Sequence, residues 1–85
     1  MPIYMIERQF AEQLEVTREG AAGVRLINDE VGVHWLFSFL SADKKKTFCL
    51  YEASSPEAIL EAARRAGLPA DVITEVSELR PEAFV

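Results

Sequence analysis

The sequence contains few of the residues that form disulfides and metal centres, with one cysteine and one histidine among 85 residues. A single cysteine cannot form an internal disulfide, which is typical of a reducing compartment, so we expect a cytoplasmic protein. No apolar run approaches the roughly 20 residues that span a bilayer. The N-terminus also lacks the basic and apolar segments of a signal peptide, so the sequence predicts no membrane association.

Positive charge is also scarce in this chain. Nine lysines and arginines stand against fourteen aspartates and glutamates, which gives a formal net charge of −5. The only cationic run is the three lysines at 44–46, in a predicted hairpin turn. Because clustered cations supply the affinity for phosphate backbones, this balance argues against nucleic acid as a partner. A hydrophobic content of 49% is typical of a globular protein, and we predict one domain over 1–85 with a C-terminal tail at 77–85.

The periodicity of apolar residues predicts the order strand, helix, strand, strand, helix, strand. Thr17 is the expected N-cap of the first helix. The second helix is expected to follow Ser55, with Pro56 at its first position and Gly67 at its end. The predicted strands are 2–9, 31–41, 46–53 and 72–76, and 10–16 is expected to connect the first strand to the first helix.

This order is typical of an α+β, ferredoxin-like βαββαβ fold, in which two helices cover one face of a four-stranded antiparallel sheet. If side chains alternate strictly along the second strand, both faces of that strand are largely apolar. Because two helices cover only one side, we expect a homodimer with the sheets face to face, a dimeric α/β barrel. The alternative is a monomer with a few surface hydrophobic residues. The alternation predicts Val33, Trp35, Phe37 and Phe39 on one face of the second strand, and His34, Leu36, Ser38 and Leu40 on the other.

Glu7 and Glu52 are acids at strand positions among apolar neighbours. The first and third strands are adjacent in a ferredoxin-like sheet, so these carboxylates could approach each other. A buried carboxylate is costly unless it is paired or binds a metal. Together with His34 they form the candidate metal or substrate site. The alternative is that each acid reaches water at a strand end or pairs with an arginine, for which the candidates are Arg8, Arg25 and Arg64.

His34 and Cys49 are the other candidates for chemistry. His34 could act as a general base or a metal ligand, or it could be a half-buried histidine that bonds a backbone carbonyl. A reactive thiolate needs a helix N-terminus or a cationic neighbour, so Cys49 in a strand is expected to be buried and structural. With Trp35 and Phe37, Cys49 is also a candidate wall of a ligand pocket. Phosphate loops, paired metal-binding cysteines and nucleophile motifs are absent, so no catalytic residue is assigned.

Two stretches resemble a family of small bacterial proteins of unknown function, one branch of which binds nickel. They are TFCLYEASSPEA at 47–58 and RAGLPADVI at 65–73. The opening Tyr4-Met5-Ile6-Glu7-Arg8 and the hydrophobic second strand are similar as well, so that the resemblance covers nearly the whole chain. It implies a ferredoxin-like fold, a homodimer, and a divalent metal such as nickel as the cofactor.

The chain departs from the nickel-binding branch at the positions that match the histidines of that branch. It has Glu7, Phe37, Ala63 and Leu68 there, while His34 is retained. Nickel favours imidazole ligands, and phenylalanine, alanine and leucine offer no donor atom. The resemblance therefore implies a depleted site made of Glu7, His34 and Glu52, and it argues against tight nickel binding.

Three functions are compatible with these patterns. The first is a small non-enzymatic protein that binds a metal ion or a small molecule near the sheet or dimer interface. The second is a cofactor-independent enzyme similar to dimeric α/β-barrel monooxygenases or isomerases, with His34 as the base and Glu7 or Glu52 orienting it. The third is an interaction or regulatory module without a ligand. A cavity shared by Glu7, His34 and Glu52 would favour the first two.

Overall fold

Capping residues begin both helices, and end the second helix, where the sequence predicts. Thr17 Oγ1 accepts a hydrogen bond from the Gly20 amide at 3.0 Å. Ser55 Oγ accepts one from the Ala58 amide at 3.4 Å, and Pro56 fills the first helical position. Gly67 ends the second helix with a φ of 68°, a left-handed conformation that glycine adopts without steric cost.

The computed structural model describes residues 1–15 and 17–84. Neither of the two α-helices within those ranges is long and apolar enough to cross a membrane. Val16, at the end of the predicted connecting segment, and Val85, in the predicted tail, lie outside the described residues. The elements are β1 (Ile3–Gln9), α1 (Arg18–Glu30), β2 (His34–Leu40), β3 (Lys46–Glu52), α2 (Pro56–Ala66), β4 (Val72–Val76) and a short 3-10 helix (Pro81–Phe84).

The four strands form one antiparallel sheet in the order β2-β3-β1-β4. β1 lies between β3 and β4, and Ile6 pairs with Cys49 on one side and with Ile73 on the other. Both helices pack on the same face of this sheet. The predicted α+β ferredoxin-like fold is confirmed, with β1 and β3 as neighbours.

The hydrophobic core lies between the sheet and the two helices. Ile6 from β1 and Ile59 from α2 are its most buried large side chains, with 0% and 1% of their surface exposed. Tyr51 and Cys49 from β3 join them, so the expected burial of Cys49 is confirmed. Burial of such side chains supplies the main driving force for the fold.

Neither α1 nor α2 packs on the opposite side of the sheet, and we call that side the open face. Its central side chains are half-buried and those on β2 are exposed, with Phe37 and Phe39 at 52% and 62%. These two phenylalanine rings meet edge to face, with centroids 5.6 Å apart. The apolar part of the open face is formed by Ile3, Met5, Phe37, Phe39, Phe48 and Leu50, and the polar residues Glu7, His34 and Glu52 lie on the same side of the sheet.

The predicted alternation of β2 is wrong beyond Trp35. Trp35 pairs with Tyr51 and Phe37 with the next residue of β3, Leu50, so Leu36 is an extra residue in a β-bulge. A bulge shifts the pleat by one position. Trp35 therefore faces the helices together with Ser38. Phe37 and Phe39 lie on the open face, which is also the side of the sheet that carries His34.

The segment after β1 runs beside the β2–β3 hairpin turn instead of leaving the sheet. The Phe10 amide donates to the Lys45 carbonyl at 2.8 Å, and the Leu14 amide donates to the Lys44 carbonyl at 2.7 Å. Lys44 itself has a φ of 63°, and the turn is closed by the Asp43 carboxylate, which accepts from the Lys45 amide. The bonds from Phe10 and Leu14 hold the connecting segment against the hairpin turn.

Candidate functional site

A cavity of about 380 Å³ lies between the first half of α1 and the sheet. Its walls are mostly apolar and come mainly from α1, from β1, β2 and β3, and from the segment that connects β1 to α1. Leu14 comes from the connecting segment and Val24 from α1, while Trp35 and Cys49 come from β2 and β3. Cavities of this size and character are typical of small-molecule sites.

Small residues on α1 keep the cavity open. Gly20 and Ala21 face the sheet where larger side chains would fill the space. At Gly20 an added Cβ would lie 3.0 Å from Thr17 Oγ1, the atom that caps the helix. Glycine at this position therefore preserves the cap and the cavity together.

Trp35 forms a fixed wall of the cavity. Its indole stacks on the Tyr51 ring, with centroids 6.3 Å apart and an angle of 25° between the planes. The indole Nε1–H donates a hydrogen bond to Ser38 Oγ at 2.9 Å. These two contacts orient a half-buried tryptophan without a partner from outside the sheet.

Arg8 is the one charged side chain of the described residues that is buried, with 4% of its surface exposed. It lines the cavity from β1, and its guanidinium carbon lies 5.6 Å from the centroid of the Tyr51 ring. Burial raises the pKa of the Tyr51 phenol above its usual value of 10, and the positive charge of Arg8 opposes that rise.

The sequence carries a signal for the burial of Arg8, although no site role was predicted for this residue. Arg8 alternates with Tyr4 and Ile6 on the buried face of β1. In the sequence-based hypotheses, Arg8 is only a candidate partner for Glu7 or Glu52. The two-residue period of a strand would have placed it among core residues instead.

The structure does not bring Glu7 and Glu52 together. Glu7 pairs in register with Phe48, and Glu52 pairs with Ile3. Ile3 and Glu7 are four positions apart along β1, which corresponds to about 13 Å at the rise of a strand. The Glu7 carboxylate is instead 3.3 Å from Lys46 Nζ, so its partner is a lysine and none of the arginines.

His34 stands opposite Glu52 in the register of β2 and β3. His34 is exposed, lies at the start of its strand, and does not line the cavity. Within 1–15 and 17–84, no three histidine, cysteine or acidic side chains lie close enough to hold a metal ion. Two donors do not fit the imidazole-rich environment that nickel prefers, so the predicted three-residue site is not assembled in one chain.

The three candidate pocket residues are divided between the two faces of the sheet. Trp35 and Cys49 line the cavity. Phe37 lies on the open face, because the bulge at Leu36 reverses its direction. The cavity is thus on the helix side, whereas the sequence had suggested a ligand near the sheet interface.

Comparison with known proteins adds a family and a structural neighbour. The family described as Nickel responsive protein SCO4226-like matches residues 4–76. The crystal structure of SCO4226 from Streptomyces coelicolor A3(2) is similar to this chain with a TM-score of 0.70 and 22% sequence identity. The similarity covers 92% of this chain and 99% of that chain. No curated protein matches the sequence.

Proposed function

We propose a non-enzymatic binding function for this chain, which belongs to the Nickel responsive protein SCO4226-like family. The protein binds a small, largely apolar molecule in the cavity between α1 and the sheet. The observation that carries this proposal is the cavity itself, about 380 Å³ in volume and walled mainly by apolar side chains of β2, β3, α1 and the segment before α1. A site of this kind gains affinity by removing apolar ligand surface from water.

The alternative of a cofactor-independent enzyme receives less support from the geometry. That mechanism uses His34 as a base in a pocket that excludes water. His34 is exposed and faces away from the cavity, and the acid opposite it, Glu52, lies on the same outer side of the sheet. A base must come within hydrogen-bond reach of the proton it removes, so a ligand in the cavity is out of its range.

The test uses the neutral fluorophore N-phenyl-1-naphthylamine, because a neutral probe reports apolar binding alone. We expect saturable binding with one site per chain and a change in the emission of Trp35, the only tryptophan. Ala21→Phe should weaken binding about tenfold or more, since the new ring occupies the cavity.

The matched control for this test is Ala22→Phe. Ala22 is the next residue of α1 and is exposed, so its ring should leave binding unchanged. Equal affinities of the two variants would show that the fluorophore binds elsewhere, for instance on the open face, and would refute the proposed site.

A homodimer through the open face forms the second part of the proposal. Phe37 and Phe39 are more than half exposed and lie side by side, next to half-buried Phe48 and Leu50. Contiguous apolar surface of this kind usually marks an interface. A two-fold axis would pack each open face against its copy and leave both cavities accessible on the outer sides.

A weak metal site is a second candidate function, favoured by the cross-strand pair of His34 and Glu52. Imidazole and carboxylate are both ligands for divalent transition metals. The pair lies on the open face and is separate from the cavity. With two donors in one chain, we expect affinity well below that of a site with three or four protein ligands.

A further inference from the structure

Arg8 has unused hydrogen-bond donors inside the protein. Its Nε and Nη1 atoms are buried and have no hydrogen-bond partner within the described ranges. The guanidinium carbon lies 5.6 Å from the centroid of the Tyr51 ring, and hydrogen bonding between Arg8 and the Tyr51 phenol lowers the pKa of that phenol against the larger rise caused by burial. A cation–π contact of this kind offsets part of the cost of burial but satisfies none of the N–H groups.

No carboxylate of the described chain neutralises this buried charge. Among the ion pairs of residues 1–15 and 17–84, none includes Arg8. The neighbouring Glu7 lies on the other face of β1 and pairs with Lys46. Glu15 lines the cavity but is exposed. The guanidinium is therefore a positive charge without a counter-charge at an apolar cavity.

Thr47 adds a second unpaired group at the same place. It pairs with Arg8 across β1 and β3, so both side chains project from the same face of the sheet. Its hydroxyl oxygen is buried and has no hydrogen-bond partner among the described residues, and Thr47 also lines the cavity. A guanidinium and a hydroxyl side by side form a local site for hydrogen-bond acceptors.

Resting on the binding function proposed above, we infer that the ligand is an amphipathic carboxylate. Its apolar body occupies the space next to Trp35 and Val24, and its carboxylate accepts hydrogen bonds from the Arg8 guanidinium and the Thr47 hydroxyl. A buried charge and buried donors are unfavourable when unpaired and become favourable when an anion meets them. The ligand thereby completes a network that the chain leaves open.

The chemistry of the walls selects a carboxylate among anions. A guanidinium matches the planar geometry of a carboxylate with two parallel hydrogen bonds. A phosphate monoester carries close to two negative charges, and a single arginine in an apolar cavity would leave much of that charge unpaired. One cation therefore fits a monoanion with an apolar body.

The experiment compares octanoate with its neutral analogue octanamide, by calorimetry and by the emission of Trp35. Wild-type protein should bind octanoate at least about tenfold more tightly than octanamide, because only the carboxylate pairs with the buried charge of Arg8. Arg8→Met should abolish this preference. Arg25→Met is the matched control, since Arg25 is an exposed arginine on α1, and it should retain the preference.

Stability gives an independent readout. Arg8→Met replaces an unpaired buried charge by an apolar side chain, so its urea midpoint without ligand should equal or exceed that of the wild type. A lower midpoint would overturn the inference, because it would mean that Arg8 is needed to hold the fold together.

The outcomes separate this inference from the proposed function. Equal affinity of the wild type for octanoate and octanamide overturns the carboxylate assignment and leaves an apolar binding site. If N-phenyl-1-naphthylamine binds, its binding is weakened by Ala21→Phe, and octanoate does not bind, the carboxylate assignment is likewise overturned and the apolar binding site remains. Absence of binding for all three probes overturns both.

Discussion

The Trp35 indole N–H donates to Ser38 Oγ at 2.9 Å, although the two residues are three positions apart on one strand. In a regular strand, residues at this spacing lie on opposite faces. The bulge at Leu36 places both on the helix side of the sheet. The bond fixes the orientation of the indole as a wall of the cavity, and the same bulge directs Phe37 and Phe39 to the open face.

Replacing Trp35 by alanine should destabilise the protein by about 3 kcal/mol, at the lower end for a tryptophan because the side chain is half-buried. The variant loses the contact with Tyr51 and leaves Ser38 Oγ without its donor. The measurement is the free energy of unfolding in urea. Leu26→Ala on the exposed side of α1 is the control, with an expected change below about 0.5 kcal/mol. A loss below about 1 kcal/mol for Trp35→Ala would contradict a structural role.

Two glycine-to-alanine substitutions should change stability in opposite directions. Gly23 lies inside α1 with nothing within 4 Å of an added Cβ, so Gly23→Ala should stabilise the protein by about 1 kcal/mol. Gly67 has a φ of 68°, so Gly67→Ala should destabilise it by about 1 kcal/mol. Thermal melts of the two variants compare them directly. Shifts of the same sign would show that one of the two backbone conformations is assigned wrongly.

Glu61 should make the protein more sensitive to acid. Hydrogen bonds from Arg64 and then Arg65 lower the pKa of the Glu61 carboxyl from 4.5 to about 2. A carboxyl with a lowered pKa in the folded state contributes stability that is complete above 4.5 and is lost as the pH falls towards 2. The melting temperature of Glu61→Gln should therefore fall less between pH 5 and pH 2 than that of the wild type.

The control for the acid experiment is Glu12→Gln, an exposed carboxylate of the connecting segment. Its melting curve should follow the wild type over the same pH range. Because Glu61 and its arginines are accessible to solvent, high salt should also reduce the difference between Glu61→Gln and the wild type. Identical acid sensitivity of Glu61→Gln and the wild type at low salt would refute the lowered pKa.

Charges on the open face should prevent dimerisation. Light scattering after size exclusion should give the wild type twice the chain mass of 9.5 kDa. The double variant Phe37→Glu, Phe39→Glu should give a single chain mass, because packing would place unpaired carboxylates in an apolar interface. Leu26→Glu, which puts the same charge on an exposed position of α1, should remain dimeric. A monomeric wild type, or a dimeric double variant, would rule out this interface.

Titration calorimetry with nickel, zinc and copper tests the metal candidate. We expect binding weaker than micromolar, since one chain brings together only His34 and Glu52. His34→Ala should remove the heat. Glu7→Gln should retain the heat, because Glu7 lies four positions along β1 from Ile3, the residue that pairs with Glu52. The Glu7 carboxylate pairs with Lys46 instead. Micromolar or tighter binding, or loss of the heat in Glu7→Gln, would show that the site includes more ligands than this pair.

Local signals along the chain are enough to predict the two α-helices, the four strands and their order. Thr17, Ser55, Pro56 and Gly67 are local signals, since caps and left-handed C-termini depend on residues within one helical turn. The strand β4 has the predicted bounds, and the others differ by one to three residues at their ends. The order of elements then leaves few topologies, of which the ferredoxin-like sheet is the one observed.

Which side chains come together depends on how the strands pair in the assembled sheet. The bulge at Leu36 reverses the second half of β2, and a bulge depends on how one strand is accommodated against its neighbour. The register of β1 against β3 separates Glu7 from Glu52 and pairs Arg8 with Thr47. Alternation alone shows that Arg8 lies on a buried face. That its Nε and Nη1 atoms have no hydrogen-bond partner among residues 1–15 and 17–84 emerges only when every neighbouring element is in place.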